Sequence, residues 1–220
     1  MATVLVTGCN RGIGLALVQQ LSARGDTVIA ACRTASPALA GLGVRVEEGV
    51  DVTDDASVAA LAARLEGASI DLLINNAGLL KMSALGALDF ESMRQQFEVN
   101  ALGPLRVTAA LRPNLSAGST VAIVTSRMGS IADNSSGGGY GYRMSKAAVN
   151  MAGRSLSIDL ASDGISVVLL HPGYVRTAMT NFNGLVTTEE SAAGLLARID
   201  EQTQEHSGRF VHMSGEPLPW

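Results

Sequence analysis

The feature that most limits what this chain can fold into is its N-terminal strand, turn and helix. Thr3 to Thr7 is a short β-branched and apolar run that meets the turn Thr7-Gly8-Cys9-Asn10-Arg11-Gly12-Ile13-Gly14. From Ile13 the period changes. Ile13, Leu17 and Leu21 recur four apart, the spacing of a helix that lays one face on a sheet. Glycine at 8, 12 and 14 permits a tight turn, close approach of a diphosphate, and close packing of helix on strand. The helix start then offers free backbone N–H groups to negative charge. A bare glycine pattern is weak, but one flanked by the required strand and helix points to a dinucleotide site.

The rest of the chain repeats the strand-then-helix order. Gly25 stops the first helix and residues 28–31 read as a second strand, ending at Cys32 and Arg33. Residues 44–50 are a third strand candidate, and Asp54 can cap a helix with apolar positions at Val58, Leu61 and Leu65. Residues 70–74 are nearly continuously apolar, as expected where both faces of a parallel sheet are covered. A helical stretch runs over about 89–111, with Pro104 at a helix start or kink. Then come a strand at 121–124, a Ser/Gly-rich loop over 126–141, a helix to about 160, a strand at 165–170, a helix over 188–199 and a last strand at 210–213. This βαβ series predicts one domain over residues 1–220: an α/β, doubly wound, mostly parallel Rossmann-type sheet with helices on both faces. The short segment 171–187 follows a strand end and is the candidate substrate-side loop, placed where a mobile lid would sit.

Composition narrows the partners. Hydrophobic residues are 47% and charged residues 16% of the chain, which suits a globular α/β protein. Sixteen basic against twenty acidic residues give a net charge of -4 with no basic stripe, so no nucleic-acid partner is expected. No apolar run is long enough to suggest a membrane span, and the N-terminus lacks the basic start of a secretion signal, so a cytoplasmic chain is expected. Cys9 and Cys32 read as buried reduced thiols. His171, His206 and His212 lack metal-ligand spacing, and no metal is expected.

An NAD site commonly places Asp or Glu at the end of the second strand for the ribose 2′-OH, whereas a 2′-phosphate wants Arg. Here Cys32 is followed by Arg33, and Arg11 lies in the glycine turn, so NADP(H) is favoured. Asp51 can meet an adenine edge or cap the next turn. Asn75-Asn76-Ala77-Gly78 brings polar groups and a glycine to the crevice, where local turn stabilisation is the plainer alternative.

Tyr142 and Lys146 stand one helical turn apart. A phenol is a poor proton donor or base at neutral pH, and a nearby ammonium is expected to lower its pKa. Tyr140 lacks such a partner, because Met144 lies four residues on. Ser126, just past a strand, can hydrogen-bond a carbonyl oxygen and orient the phenol.

Thr7 to Gly14, Asp51-Val52, Asn75 to Gly78, Asn100, Ser126, Tyr142 to Lys146, and Pro172-Gly173 with Thr177 together resemble a short-chain dehydrogenase/reductase of the classical kind along essentially the whole chain. Residues 126–131, the Gly/Ser loop and Leu218-Pro219-Trp220 further resemble the small NADPH-dependent carbonyl reductases of the sniffer and bacterial C-factor group. The resemblance implies that Tyr142 is the general acid in carbonyl reduction and the base in alcohol oxidation. It implies that Lys146 holds the nicotinamide ribose, that Ser126 binds the reacting oxygen, and that Asn100 kinks its helix and holds a water leading to Lys146. It assigns cofactor contacts to Gly8, Asn10, Arg11, Gly12, Ile13, Gly14, Arg33, Asp51, Val52, Asn76, Ala77 and Gly78, and, on the nicotinamide side, to Pro172, Gly173, Val175 and Thr177. The interval from Ser126 to Tyr142 is longer than the commonest family spacing, so either its loop bulges outward or Ser126 is displaced.

The expected activity is NADP(H)-dependent reduction of small aldehydes, ketones or quinones; the alternative is a dinucleotide-binding signalling or interaction protein with incidental catalysis. Trp220 can close the cleft, pack on its own domain or meet another subunit. Alanine-rich faces at 101–111 and 147–161 suit a homodimer or homotetramer. The charge argument makes a direct prediction: Arg33→Asp weakens NADPH binding more than NADH binding, and equal losses in measured affinity for the two would contradict the 2′-phosphate assignment.

Overall fold

The computed structural model describes all 220 residues. In chain order its elements are β1 (Thr3–Thr7), α1 (Gly12–Ala23), β2 (Thr27–Ala31), α2 (Pro37–Ala40), β3 (Arg45–Glu47), α3 (Asp55–Arg64), β4 (Leu72–Asn75), α4 (Phe90–Phe97), α5 (Gly103–Ala110), β5 (Thr120–Val124), α6 (Tyr140–Asp159), β6 (Ser166–His171), α7 (Thr188–Asp200) and β7 (Arg209–His212). The seven strands form one sheet in the order β3-β2-β1-β4-β5-β6-β7, and every pairing is parallel. The order reverses between β1 and β4. Loops leaving those two strands therefore turn to opposite faces and open a crevice at the strand ends, the position where doubly wound sheets bind ligands.

Strand alternation builds two cores. Val4 and Val6 of β1 join Val28, Ala30, Leu72, Ile74, Ala122 and Val124 under α1 and α7. Leu5 joins Ile29, Ala31, Leu73, Val121 and Ile123 on the opposite face, packed with residues of α3, α5 and α6. Each central strand is thus apolar on both sides, which is why the sequence shows runs rather than alternation.

Local chemistry sets the element ends. Asp54 accepts from the Ala56 N–H at 3.1 Å and caps α3, as its sequence position suggests. Thr187 and Glu190 form a reciprocal capping box at the start of α7. The helical stretch expected over about 89–111 is present as α4, a π-helical turn at Glu98–Leu102 and α5, with Pro104 in the first turn of α5, one of the two places expected for it. Proline lacks the N–H that a continuous helix would need there. β3 is shorter than expected because Gly49 turns the chain at φ 73°, although Val50 N–H still reaches the Cys32 carbonyl at 3.0 Å. The sequence reading missed the four-residue α2, which Ser36 caps by accepting from Leu39 N–H at 3.2 Å.

Gly14 shows how tightly α1 seats on the sheet. A Cβ there would stand 2.5 Å from Asn76 Nδ2 and 2.8 Å from Cys9 Cα, and would also strike the Gly8 carbonyl. Gly14→Ala is expected to destabilise the protein by roughly 1–3 kcal/mol through overpacking. Gly41→Ala, at φ -71° with a Cβ meeting only the Pro37 carbonyl at 3.4 Å and the Ala38 carbonyl at 3.9 Å, should be neutral or stabilising by about 0.4–1 kcal/mol. Urea unfolding of the two variants checks the contrast.

Candidate active site

The glycine turn between β1 and α1 is held by the end of β4. Thr7 Oγ1 accepts from the Asn76 and Ala77 N–H groups at 3.1 and 3.2 Å. Asn76 Nδ2 returns two bonds, to the carbonyls of Thr7 and Gly8, each at 3.0 Å. The Asn75 to Gly78 stretch therefore braces the turn, the plainer of its two readings, and Gly8 at φ 65° packs so closely that a Cβ would meet Ala77 Cα at 2.7 Å.

At the start of α1, Arg11 provides no side-chain cap, and the Gly12 and Ile13 N–H groups have no protein acceptor. These N–H groups, glycine surfaces that no side chain could share, and the positive end of α1 fit a dinucleotide diphosphate. A Cβ on Gly12 would lie 3.5 Å from Thr177 Cγ2, so the turn and the loop after β6 face each other. Asn10 Nδ2 donates to the Thr34 carbonyl at 3.2 Å and draws the turn toward the end of β2. Arg11 and Arg33 are exposed beside that end, and neither is in an ion pair. Asp51 caps its own turn: Oδ1 accepts from the Thr53 N–H at 2.9 Å and the Thr53 hydroxyl at 2.7 Å. The Thr53 N–H holds the carboxyl below its usual range, and the Arg33 and Arg106 guanidiniums add to the effect. Val52 is buried against Gly103.

Across the crevice, α6 carries Tyr142 and Lys146, 8% and 4% exposed. Tyr140 also lies on α6, because the helix begins there from Gly139 at φ 56°. Lys146 Nζ donates to the Val124 carbonyl at 2.9 Å and stands 5.8 Å from the centre of the Tyr142 ring. Burial pushes the Tyr142 phenol up to about 12, while the Ser126 hydroxyl facing it pulls the other way. Burial pushes the Lys146 ammonium down to about 8. Burial thus dominates at the phenol, where the sequence leads one to expect a lowering by Lys146, and the ammonium is turned toward the end of β5.

Ser126 is not displaced by the long interval. It caps a 3₁₀ turn at Arg127–Gly129, its Oγ accepting from Met128 N–H at 3.1 Å, and the extra residues bulge outward. Gly129 makes this fit possible, since a Cβ there would meet the Lys146 carbonyl carbon at 2.7 Å. Thr7 and Gly129 fall within the stretches 7–14 and 126–131 that carry the family resemblance, but their packing roles show only in the fold, because the residues they meet, Asn76 and Lys146, are distant in the chain.

Asn100 is fully buried on the π-helical turn, so the helix does deviate where the resemblance implied a kink. Its Oδ1 accepts from Leu79 N–H at 2.8 Å, and Nδ2 donates to the Leu79 carbonyl at 2.7 Å and to Ser145 Oγ at 3.0 Å. The side chain thereby ties the loop after β4 to α6. A Cβ on Gly78 would lie 3.5 Å from Asn100 Oδ1 and 4.0 Å from Lys146 Nζ, which puts the three residues together.

Pro172, Gly173, buried Val175 and half-buried Thr177 follow β6 on the same edge of the sheet. Gly173 takes φ 84°, and the loop is pinned by pairing of Val175 with Val186 and by the Ser191 hydroxyl donating to the Pro172 carbonyl at 2.7 Å. His171 packs against His212 with ring centroids 5.1 Å apart, and no group of three potential metal ligands occurs. Cys9 and Cys32 are free and buried, as expected. Trp220 packs on its own fold, stacking on Phe210 at 5.5 Å.

A glycine turn with free N–H groups and a buried tyrosine-lysine pair on opposite sides of one switch-point crevice define a doubly wound α/β protein with the makings of an active site. The short chain dehydrogenase family model matches residues 2–185, and the chain belongs to that family. It is 50% identical, over 100% of both chains, to a 1-hydroxy-2-glutathionyl-2-methyl-3-butene dehydrogenase of Rhodococcus sp. (strain AD45). It is 51% identical to the C-signal protein of Myxococcus xanthus over 69% of this chain and 93% of that one. A carbonyl reductase from chicken fatty liver, solved with NADPH bound, superposes with a TM-score of 0.90 at 33% identity, covering 100% of this chain and 99% of the other. The likeness to carbonyl reductases and to the C-factor group is thus borne out.

The buried lysine carries a stability consequence. With the native pKa near 8 against 10.5 for the free group, the unfolded chain binds the proton that the native chain sheds between those values, so stability rises over that window. Below pH 8 the native state bears a buried charge. Lys146→Met is therefore expected to raise the melting temperature at pH 7, with a gain that shrinks between pH 8 and 10.5. Calorimetry across that range checks the sign.

Proposed function

We propose that this oxidoreductase uses NADP(H) to reduce the carbonyl of small aldehydes, ketones or quinones, with Tyr142 as the proton donor. The observation that carries the reading is the meeting of Ser126, Tyr142 and Lys146 in a buried group beside the glycine-turn cradle. When bound, NADP(H) supplies or accepts the hydride. Gly8, Asn10, Gly12, Ile13 and Gly14 shape the diphosphate cradle, and Arg11 with Arg33 receives the 2′-phosphate. Asp51, Val52, Asn76, Ala77 and Gly78 border the adenosine side. Pro172, Gly173, Val175 and Thr177 border the nicotinamide side. The Ser126 hydroxyl donates to the substrate oxygen and steadies its developing charge. Tyr142 gives its proton to that oxygen, and with a pKa near 12 it stays protonated at neutral pH until the oxygen becomes basic. Lys146 binds the nicotinamide ribose, and its charge then favours the phenolate that proton transfer leaves behind. Asn100 positions α6 through Ser145.

The Rhodococcus relative is named as a dehydrogenase of a hydroxy compound. In that direction Tyr142 takes a proton rather than giving one. The loop over residues 171–187 forms the substrate side of this single domain.

Oligomerisation belongs to the same reading. Met144, Met151 and Ile158 stand seven apart and exposed on α6, near exposed Phe97 and Leu105, and a homodimer or homotetramer would cover them. No helix is long and apolar enough to cross a membrane. We place the chain in the cytoplasm, where its two free thiols stay reduced. The C-signal relative favours one alternative, a dinucleotide-dependent signalling protein whose output survives Tyr142→Phe and fails when the glycine turn is broken.

The deciding measurement follows NADPH and NADH oxidation against a panel of aldehydes, ketones and quinones. Wild type should turn over faster with NADPH, and Tyr142→Phe should lose about 10²–10⁴-fold in kcat. Full activity in Tyr142→Phe would remove the assigned donor, and tight NADPH binding without wild-type turnover would support the signalling reading.

A further inference from the structure

The bulged connection between Ser126 and Tyr142 is gripped from outside by residues 216–220. The Ile131 and Ala132 N–H groups donate to the main-chain oxygen of Trp220 at 3.0 and 2.9 Å. The Ser130 hydroxyl donates to the same oxygen at 3.1 Å while accepting from Asp133 N–H at 3.1 Å. Arg127, directly after Ser126, pairs with Glu216 at 3.1 Å and with Asp133 at 3.3 Å.

The gripping segment is itself anchored. Leu218 N–H donates to the Phe210 carbonyl at 2.9 Å, Leu218 is buried with Leu169 and Phe210, and the Trp220 ring stacks on Phe210. On the inner side, Gly129 lies against the Lys146 backbone. The segment 126–132 is thus clamped between α6, which bears Tyr142 and Lys146, and an outer strap secured to β7. A loop this long has many conformations, and fixing it near its start restricts the rotations that would carry the Ser126 hydroxyl away from the phenol.

We propose that residues 216–220, anchored by Trp220 and joined to Arg127 by Glu216, are a positioning element for Ser126. They act through the loop and touch neither substrate nor cofactor. The proposal rests on the roles given above to Ser126 and Tyr142.

A double-mutant cycle on the full chain tests it, with NADPH-dependent reduction of 4-nitrobenzaldehyde as the readout. Glu216→Gln combined with Trp220→Ala is expected to lower kcat about 10- to 100-fold. The NADPH dissociation constant should stay within about twofold, because the cradle lies between β1 and α1, away from the tail. Restoring the stack by exchanging Trp220→Ala for Trp220→Phe should recover most of the rate. In a Ser126→Ala background, the same tail changes should add less than about a twofold loss. Equal losses in both backgrounds, or wild-type kcat in the tail variant, overturn the proposal. Glu216→Gln alone breaks an exposed ion pair without touching the Trp220 anchor, so a cycle of Glu216→Gln with Ser126→Ala serves even if the double tail variant does not fold; the loss expected is about threefold, confined to the Ser126 background. A wild type that reduces no carbonyl in the panel, or Tyr142→Phe at full rate, would instead count against the activity itself.

Discussion

The bonds that join the ends of β1 and β4 govern this structure. Thr7 and Asn76 sit where the strand order reverses, and their exchange of hydrogen bonds holds the glycine turn against the loop leaving β4. A parallel sheet aligns all its strand ends on one edge, but the reversal alone makes that edge a crevice. Had the turn been free to move, α1 would lose its seat on the sheet, because Gly8 and Gly14 fit only where Ala77 and Asn76 already stand. Fold stability and cofactor geometry therefore depend on the same few contacts.

The chemistry proposed for the opposite wall comes at a thermodynamic cost. Tyr142 and Lys146 are both withdrawn from water, and burial moves each pKa toward its neutral form. Such an arrangement stores unfavourable charge energy where an incoming oxygen and ribose can use it. Asn100 stands beneath this wall with both amide hydrogens and its oxygen bonded, so the π-helical turn exchanges regular helix geometry for a link between the loop after β4 and α6. The side wall formed by Ser126 shows the same economy. A helix packed on Gly129 and a strap packed on Phe210 position one hydroxyl between them.

Much of the fold could be read directly. The shift from β-branched runs to four-residue spacing located most of the strands and helices, since burial of both sheet faces imposes that pattern on the chain. The departures have local causes. A π-helical turn bearing Asn100 interrupts the α-helical ladder ahead of Pro104, Gly49 ends β3 early, and α2 is too short to show a period. For the site, the one-turn spacing of Tyr142 and Lys146 and the run of glycines were visible because both are encoded over short distances. Asp51 fits two roles from sequence, and the position of Thr53 in the fold bonds it within its own turn.

Local patterns along the chain encode the alternation of strands and helices, the glycine turn, and the residue types from which a nicotinamide-dependent site can be built. Those depend on backbone preference and on patterns within a few residues of one another. The tertiary structure alone decided that Ser126 stays beside Tyr142 despite the long interval, that desolvation rather than Lys146 dominates the phenol, and that Trp220 closes on the catalytic-side loop instead of the cleft. Each of these depends on atoms brought together from distant parts of the chain, where burial and shared hydrogen bonds outweigh any preference encoded locally.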